Sequence, residues 1–298
     1  MNILITGGSG LVGQVLVAQL TQSGHAVRIL TRKNTANPTE FQWDLTKNYI
    51  DGKAFENLDA IIHLAGANIS QRWSESYKKE LFSSRVESAQ LLKEYCVKHD
   101  VQLKAFISAS GINYYGTFTS DRILTEKSGI IQTGFLTRLC EEWEAAANSF
   151  SEISNRVVCL RTAMVLAEDG GAYPLLKKVA DFNLSSAIGS GTQWMNWIHA
   201  EDLAAMYVFA LGNSAVSGAY NAVADEIPTN RVFMKKLASV NGKFFLPVNI
   251  PAFVMKSVFG EMSSIILEGT RAGNEKIKSL GFDFKYAKIE DAFQALIK

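Results

Sequence analysis

Three glycines near the start of the chain are spaced for binding a phosphate group. Gly7, Gly10 and Gly13 follow a short apolar run, Asn2–Thr6, that is typical of a buried strand, and residues 11–20 then show helical periodicity. In a strand–turn–helix unit the first glycine permits the tight turn and the second lets backbone N–H groups approach a pyrophosphate. The third lets the helix pack closely on the strand. The helix N-terminus then faces the phosphates with its positive end.

The spacing of these glycines differs from the ordinary dinucleotide fingerprint. Here it is Gly7-x-x-Gly10-x-x-Gly13, whereas the common motif reads G-x-G-x-x-G. A glycine-rich turn of any α/β protein is the alternative interpretation. Because the trio lies between a strand and a helix, we favour a dinucleotide site in which Leu11 and Val12, at the start of the helix, also contact the cofactor.

The residues after the next predicted strand, 25–31, indicate which dinucleotide is bound. NAD-binding proteins usually end this strand with an acidic residue that holds the ribose hydroxyls. Here the first acidic residue of the chain is Glu40, and Arg32 and Lys33 follow the strand. A guanidinium pairs with the 2′-phosphate of NADP, which a carboxylate would repel. The sequence therefore favours NADP(H), with solvated loop charges as the alternative interpretation of the two basic residues.

The elements that position these residues alternate along the chain between strand and helix. We predict strands over 2–6, 25–31, 40–45, 59–65, 103–108 and 156–161, and helices over 11–20, 74–99, 135–150 and 200–211. This pattern predicts an α/β fold, a doubly wound parallel sheet of Rossmann type with helices on both faces. From about residue 228 the alternation loosens, which predicts a smaller C-terminal substrate lobe.

These patterns suggest how the chain is divided. Residues 1–165 and about 200–225 are expected to form the dinucleotide-binding domain. Residues 166–199 and about 226–298 are expected to form a substrate-facing lobe, with the last ~50 residues a small helical domain. The helix over 74–99 either dimerises or covers the sheet, so both a monomer and a homodimer are compatible with the sequence.

Composition restricts the range of functions. The chain has 298 residues, 47% of them hydrophobic, and a formal net charge of +1, which gives no reason to expect nucleic acid or an anionic membrane as a partner. Its three cysteines and four histidines are scattered without metal-ligand spacing, so we expect no metal. Unpaired cysteines, together with no recognisable signal peptide or membrane span, predict a cytoplasmic protein that acts on a small molecule.

Small residues at the ends of two predicted strands are suited to lie beneath a cofactor. At the end of the strand over 59–65 the residues expected to contact the cofactor are Leu64, Ala65 and Gly66, and at the end of the strand over 103–108 they are Ser108 and Ala109. Near another strand end, Asp44 either meets the adenine amino group or caps a turn. His63 is interpreted as a histidine at the edge of the core.

Taken together, the motifs resemble the extended short-chain dehydrogenase/reductase superfamily. The similarity is carried by TGGSGLVG, HLAGANI and ISASGINYYG. Further stretches, among them GSGTQWMNWIHAEDLA and FGEMSSIILEGTRAGNEKIKSLGFDF, resemble the atypical subgroup of sugar-nucleotide epimerase-like proteins. The similarity extends over essentially the whole chain. It implies NADP(H) across the sheet edge and substrate between the sheet and the C-terminal lobe.

The resemblance also implies where catalytic groups are expected. In the superfamily a serine after the fifth strand orients the substrate carbonyl, and Ser110 matches it. A Tyr-x-x-x-Lys pair on the following helix supplies the acid/base. If Glu144 matches the glutamate that follows this pair, Leu136 and Cys140 occupy the tyrosine and lysine positions, and the pair is missing.

Other residues could replace the missing proton donor. Tyr114 and Tyr115 lie just beyond Ser110, and each is either the donor or a core side chain. Cys140 lacks a neighbouring histidine and is interpreted as a buried thiol. Two segments elsewhere, Tyr49/Lys53 and Tyr173/Lys177, match the text of the motif and are interpreted as coincidental.

A polar and aromatic cluster precedes the helix over 200–211 and could bind substrate. Gln193, Trp194 and Trp197 suit stacking on a planar or sugar ring, although the tryptophans could equally pack within the lobe. Arg161 either faces the site or pairs with an acid. The sequence thus leaves two functions open. The first is an NADP-dependent oxidoreductase or epimerase-like enzyme for a small carbonyl or nucleotide-sugar substrate, and the second is an NADP-binding sensor or scaffold without turnover.

Overall fold

The computed structural model describes residues 1–33 and 35–297, and a mostly parallel sheet lies at its centre. The strands are β1 (Asn2–Thr6), β2 (Ala26–Thr31), β3 (Glu40–Asp44), β4 (Tyr49–Ile50), β5 (Ala60–His63), β6 (Ala105–Gly111), β7 (Ile123–Leu124), β8 (Val157–Thr162), β9 (Met164–Ala167), β10 (Gly170–Gly171), β11 (Ser185–Ile188), β12 (Trp197–His199), β13 (Gly218–Ala222), β14 (Phe245–Ile250) and β15 (Arg271–Ala272). Eight of them form the central sheet in the order β13-β8-β6-β5-β1-β2-β3-β4, and only β4 runs antiparallel to its neighbour.

Helices cover both faces of this sheet and build the lobe beside it. They are α1 (Leu11–Gln22), α2 (Glu75–Phe82), α3 (Ser88–Lys98), α4 (Phe135–Asn148), α5 (Tyr173–Asp181), α6 (Ala200–Gly212), α7 (Asn230–Val240), α8 (Ala252–Phe259), α9 (Ser264–Leu267), α10 (Glu275–Lys278) and α11 (Ile289–Leu296). The predicted doubly wound α/β fold is confirmed. In the described part of the chain, no helix combines the length and the apolar character that a membrane span requires.

The strand order fixes where a ligand can meet the sheet. The chain proceeds outward from β1 to β2 and β3, and then returns to the other side of β1 to form β5, β6, β8 and β13. The direction of winding therefore reverses between β1 and β5. In open α/β sheets the crevice outside the carboxyl ends of the strands at such a point is where ligands bind. We call the carboxyl ends of these parallel strands the carboxyl edge.

Apolar side chains on the two faces of the sheet form separate cores. On one face Ile5 and Leu16 pack with residues of α6, and on the other Leu4 and Phe106 pack with residues of α3 and α4. A third cluster, which includes Trp197, lies within the lobe. The proposed division into two domains remains a prediction, and this separate lobe core supports it.

The helix predicted over 74–99 begins as expected but is not uniform. Ser74 caps α2 by accepting a hydrogen bond from the amide of Tyr77 at 3.1 Å. Between α2 and α3 the chain forms a π-helical turn over Ser83–Glu87, where the backbone bonds skip one residue further than in an α-helix. The last ~50 residues are mostly helical, but β15 pairs with β7, so the region also contributes to a small sheet.

Candidate functional site

The glycine turn after β1 has the geometry that a dinucleotide cradle needs. Gly7 has a φ of +71°, in the left-handed region that favours glycine, and the amide of Gly10 donates to its carbonyl oxygen at 2.9 Å. A Cβ on Gly13 would lie 2.2 Å from that same oxygen. The first glycine thus makes the turn and the last lets α1 pack directly on it, as the spacing predicts.

The N-terminus of α1 is left open for an anion. Gly10 occupies the capping position without a side chain, and the first turn of the helix contains no acidic residue. The amides of Leu11, Val12 and Gly13 are therefore available at the positive end of the helix. These features fit the pyrophosphate of a dinucleotide.

The end of β5 lies directly beside the turn. A Cβ on Gly7 would come within 3.0 Å of the carbonyl of Leu64, so this approach is possible only for glycine. The Thr6 hydroxyl oxygen accepts hydrogen bonds from the amides of Leu64 and Ala65, both at 3.1 Å. Two of the residues predicted to lie beneath the cofactor, Leu64 and Ala65, are thus held beside the turn.

The basic residues after β2 lie at the same carboxyl edge. Arg32 and Lys33 directly follow the last residue of β2 and are exposed. Neither takes part in an ion pair with another described residue. Asp44, in contrast, accepts a hydrogen bond from the amide of Thr46, and so it caps a turn.

One contact of the turn was not anticipated from the sequence. The hairpin of β9 and β10 lies against it, because a Cβ on Gly170 would be 2.8 Å from the side chain of Leu11. The next glycine, Gly171, has a φ of +67°. The pair Gly170-Gly171 is the signal that could have indicated a close backbone approach.

The structure turns Ser110 away from its expected role. Its hydroxyl donates to Glu144 Oε1 at 2.8 Å, and the side chain is almost fully buried. Arg161 binds the same carboxylate in a bidentate manner, Nε to Oε1 at 2.8 Å and Nη2 to Oε2 at 2.9 Å. Of the two interpretations of Arg161, pairing with an acid is therefore the observed one. In this arrangement neither Ser110 nor Arg161 points a free polar group at a substrate.

The two tyrosines beyond Ser110 have different environments. Tyr115 is fully buried, donates to Asn221 Oδ1 at 2.7 Å and accepts from Arg161 Nη1 at 3.1 Å. Burial raises the pKa of its hydroxyl. The expectation of a catalytic Tyr115 is therefore not supported, because its hydroxyl is already bonded inside the core. Tyr114 is only partly buried, with its ring 3.5 Å from Arg161 Cζ, and remains a candidate.

Helix α4, which by the resemblance should contain the Tyr-x-x-x-Lys pair, has a neutral side chain at the position of the lysine. Cys140 is buried, and a Cβ on Gly111 would be 3.0 Å from its sulfur. Burial raises the pKa of this thiol to about 12, so it stays protonated. Leu136, at the tyrosine position, is buried as well. Of the other segments, Tyr173 is buried in the lobe and Lys177 bonds Asp181.

Most of the predicted cofactor and substrate side chains that remain are structural. Ser108 is fully buried and donates to the Ala109 carbonyl at 2.8 Å. Trp197 is fully buried, with its indole N–H bonded to the Glu226 carbonyl, and the amide of Gln193 is bonded to two backbone carbonyls. The structure therefore corrects the expected substrate contacts of Trp197 and Gln193, because burial leaves them no free surface.

Trp194 is the member of the polar and aromatic cluster that keeps some exposure. Its indole N–H donates to Asp121 at 3.2 Å, and Arg271 lies over its ring at 4.5 Å. His63, in contrast, is fully buried with the Thr6 hydroxyl at 2.8 Å, and burial lowers its pKa to about 4. Within residues 1–33 and 35–297, no group of three His, Cys, Asp or Glu side chains is arranged to hold a metal ion.

The sheet, the glycine turn and the open helix N-terminus define a Rossmann-type dinucleotide-binding protein. The chain belongs to the NAD dependent epimerase/dehydratase family, whose model matches residues 3–222. A second model, the domain of unknown function DUF1731, matches residues 250–296. The predicted resemblance to epimerase-like short-chain dehydrogenases is confirmed, and the protein is an epimerase-like NAD(P)-binding protein.

Relatives match along the whole chain. The epimerase family protein YfhF of Bacillus subtilis (strain 168) is 35% identical over 302 residues, which is 100% of this chain and 98% of that protein. An epimerase family protein of Staphylococcus aureus (strain COL) is 33% identical over 301 residues, 99% of this chain and 98% of that protein.

Two solved structures are also similar to this chain over nearly its whole length. The human epimerase family protein SDR39U1 (isoform 2), crystallised with NADPH, has a TM-score of 0.89 and 30% identity, with 99% of both chains covered. The UDP-glucuronic acid 4-epimerase of Bacillus cereus, in complex with UDP-glucuronic acid and NAD, has a TM-score of 0.79 at 19% identity, covering 99% of this chain and 97% of that chain. This second likeness shows the fold alone.

Proposed function

We propose that the protein binds NADP(H) at the glycine turn and is an oxidoreductase or epimerase-like enzyme for a small carbonyl or nucleotide-sugar substrate. The observation that carries the proposal is the open α1 N-terminus with Arg32 and Lys33 exposed at the end of the adjoining strand. The NADPH in the human relative supports the choice of NADP(H) over NAD. When bound, such a cofactor supplies a hydride at the carboxyl edge.

The residues of this chain have separate tasks in the proposal. The amides of Leu11 to Gly13 bind the pyrophosphate, and Arg32 with Lys33 pairs with the 2′-phosphate. Leu64 to Gly66 and Ala109 provide the small surface along which the cofactor lies. Tyr114 donates the proton, and Trp194 contacts the substrate from the lobe.

Removing the charge at Arg32 tests the cofactor assignment. Arg32→Ala is expected to weaken NADPH binding by about 10- to 100-fold, the value of a charge-assisted contact, and to leave NADH binding unchanged. The measurement is a fluorescence titration with both coenzymes. Arg138→Ala, which removes an exposed arginine from α4, is the matched control and should alter neither affinity. An unchanged preference in Arg32→Ala would refute the role of Arg32.

Turnover tests the enzymatic part of the proposal. We expect NADPH consumption with at least one member of a panel of aldehydes, ketones and nucleotide sugars. Tyr114→Phe should lower kcat by about 10²–10⁴-fold, since it removes a general acid. Tyr49→Phe, at the exposed position of strand β4, is the control and should keep full activity. Equal activity of Tyr114→Phe and the unmodified protein would rule out Tyr114 as the proton donor.

A sensor or scaffold without turnover is the second candidate function. It is favoured by the observation that the hydroxyl groups of Ser110 and Tyr115 already donate hydrogen bonds, to Glu144 and to Asn221 respectively. Tight NADPH binding with no consumption across the panel would support it. The two functions therefore give opposite results in the same assay.

The same proposal includes location and assembly. Three buried free thiols, Cys96, Cys140 and Cys159, support a reducing compartment such as the cytoplasm. The protein acts on a small molecule without nucleic acid or membrane partners, as a monomer or a homodimer. Sedimentation of the purified protein decides between the two states.

A further inference from the structure

The π-helical turn between α2 and α3 places a cation inside the protein, next to the dinucleotide site. Arg85 is only 8% exposed. On one side its Cζ lies 5.0 Å from the centre of the Trp143 ring, and on the other a Cβ on Gly66 would be 2.9 Å away from it. The guanidinium therefore lies between an aromatic ring and the backbone of the residue that follows Ala65 at the carboxyl edge.

Within residues 1–33 and 35–297, no carboxylate balances the charge of Arg85. Nη1 of Arg85 donates to the Leu81 carbonyl at 3.2 Å, and Nη2 donates to the Ala67 carbonyl at 2.9 Å. Among the described residues, no acidic side chain lies within ion-pairing distance of it. Burial lowers the pKa of the guanidinium, which is the expected result for a cation removed from water without a counter-charge.

The same turn holds the loop after β5 at two points. The Ser84 hydroxyl accepts a hydrogen bond from the Ala67 amide at 2.9 Å, while Arg85 binds the Ala67 carbonyl. Both backbone groups of Ala67 are thus fixed by neighbouring residues of the π-helical turn. Because the end of β5 abuts Gly7, this loop forms the side of the dinucleotide site.

We propose that Arg85 is a positioning residue for NADP(H) and that the bound dinucleotide provides its missing counter-charge. The guanidinium fixes the loop at Gly66 and Ala67, and its charge attracts the phosphates. NADPH carries one more negative charge than NADP⁺, so the buried cation also favours the reduced form. The inference deepens the proposed function and rests on it.

The test compares Arg85 with Arg156, a half-buried arginine that likewise forms no ion pair with an acidic side chain of the described residues. Arg156 donates to backbone carbonyls, among them Leu211 at 2.6 Å and Val216 at 3.0 Å, but it directly precedes β8, at the opposite edge of the sheet. Arg85→Met is expected to weaken NADPH binding about tenfold and NADP⁺ binding less, and to reduce the salt dependence of the dissociation constant. Arg156→Met should destabilise the fold without changing either binding property.

A third variant separates the charge from the loop contact. Ser84→Ala removes the hydrogen bond to the Ala67 amide and a longer one of 3.4 Å from Arg85 Nη1, while the guanidinium keeps its bonds to the Leu81 and Ala67 carbonyls. Binding of NADPH and of NADP⁺ should therefore weaken equally, with an unchanged salt dependence. If Arg85→Met does not fold, Arg85→Lys replaces it, and this variant should retain the preference for NADPH while binding both forms more weakly.

The outcomes distinguish this inference from the proposed function. Unmodified protein that binds neither coenzyme overturns both. If the unmodified protein binds NADPH, two results would overturn the inference alone. The first is that Arg85→Met keeps the NADPH preference and the salt dependence of the unmodified protein. The second is that Arg156→Met shows the same changes in binding as Arg85→Met. Where Arg85→Lys is used in place of Arg85→Met, loss of the NADPH preference in Arg85→Lys would also overturn the inference.

Discussion

Glu144→Gln is expected to lower the free energy of unfolding by about 3–5 kcal/mol, because it leaves the Arg161 charge buried without a carboxylate to balance it. The two side chains are 9% and 4% exposed, and their bidentate contact joins α4 to β8. The amide of glutamine is close in shape to the carboxylate, so packing changes little. The decrease in the free energy of unfolding therefore measures the effect of removing the negative charge. Urea denaturation followed by circular dichroism measures it.

A surface pair provides the control for this substitution. Asp181 pairs with Lys177 on α5 at 2.9 Å, and its side chain is 44% exposed. Asp181→Asn should therefore cost only about 0–1 kcal/mol, since solvent screens the pair. A loss in Glu144→Gln no larger than that of Asp181→Asn would contradict the assigned role of the buried pair.

Gly13→Ala is expected to lower NADPH affinity by about 100-fold, which corresponds to about 2.7 kcal/mol. The added Cβ would lie 2.2 Å from the Gly7 carbonyl oxygen and 2.7 Å from Gly8 Cα, and both are backbone atoms. Helix α1 must therefore move off the turn, which misplaces the amides that bind phosphate. Overpacking should also cost about 1–3 kcal/mol of stability. Calorimetric titration and thermal unfolding measure the two effects.

Gly212 offers a matched control. It is the last residue of α6, and a Cβ there would meet no atom within 4 Å. Gly212→Ala should leave NADPH affinity unchanged. Full NADPH affinity in Gly13→Ala would show that close packing of α1 on the turn is not required for binding.

The glycine turn could be predicted from the sequence because its requirements are local. Gly7 and Gly13 each satisfy a backbone constraint set within a few residues, and the flanking strand and helix have clear periodicity. The exposed position of Arg32 and Lys33 after β2 could be predicted for the same reason, while their pairing with a 2′-phosphate remains a proposal. Their chemistry depends on the end of one strand, and no distant residue changes it.

The interior of the site could not be predicted in this way. Ser110 and Arg161 meet Glu144 only because β6, β8 and α4 pack together, and sequence spacing does not show which face of each element points inward. Tyr114 and Tyr115 are adjacent, and yet one is buried while the other keeps some exposure. Such a difference depends on packing against residues as distant as Asn221.

The π-helical turn illustrates a second limit. The apolar positions over 74–99 predict one helix, and a π-helical segment of five residues is too short for the shift that it causes to be recognised in that pattern. The shift nevertheless decides that Ser84 and Arg85 both reach Ala67. The pairing of β11 with β14, two strands almost 60 residues apart in the chain, is equally non-local.

A titration of the purified protein with NADPH, monitored by the fluorescence of the reduced nicotinamide, tests the central claim most directly. We expect saturable binding that is clearly tighter for NADPH than for NADH, because exposed cations lie where the 2′-phosphate is expected. Absence of binding to either coenzyme would contradict the account.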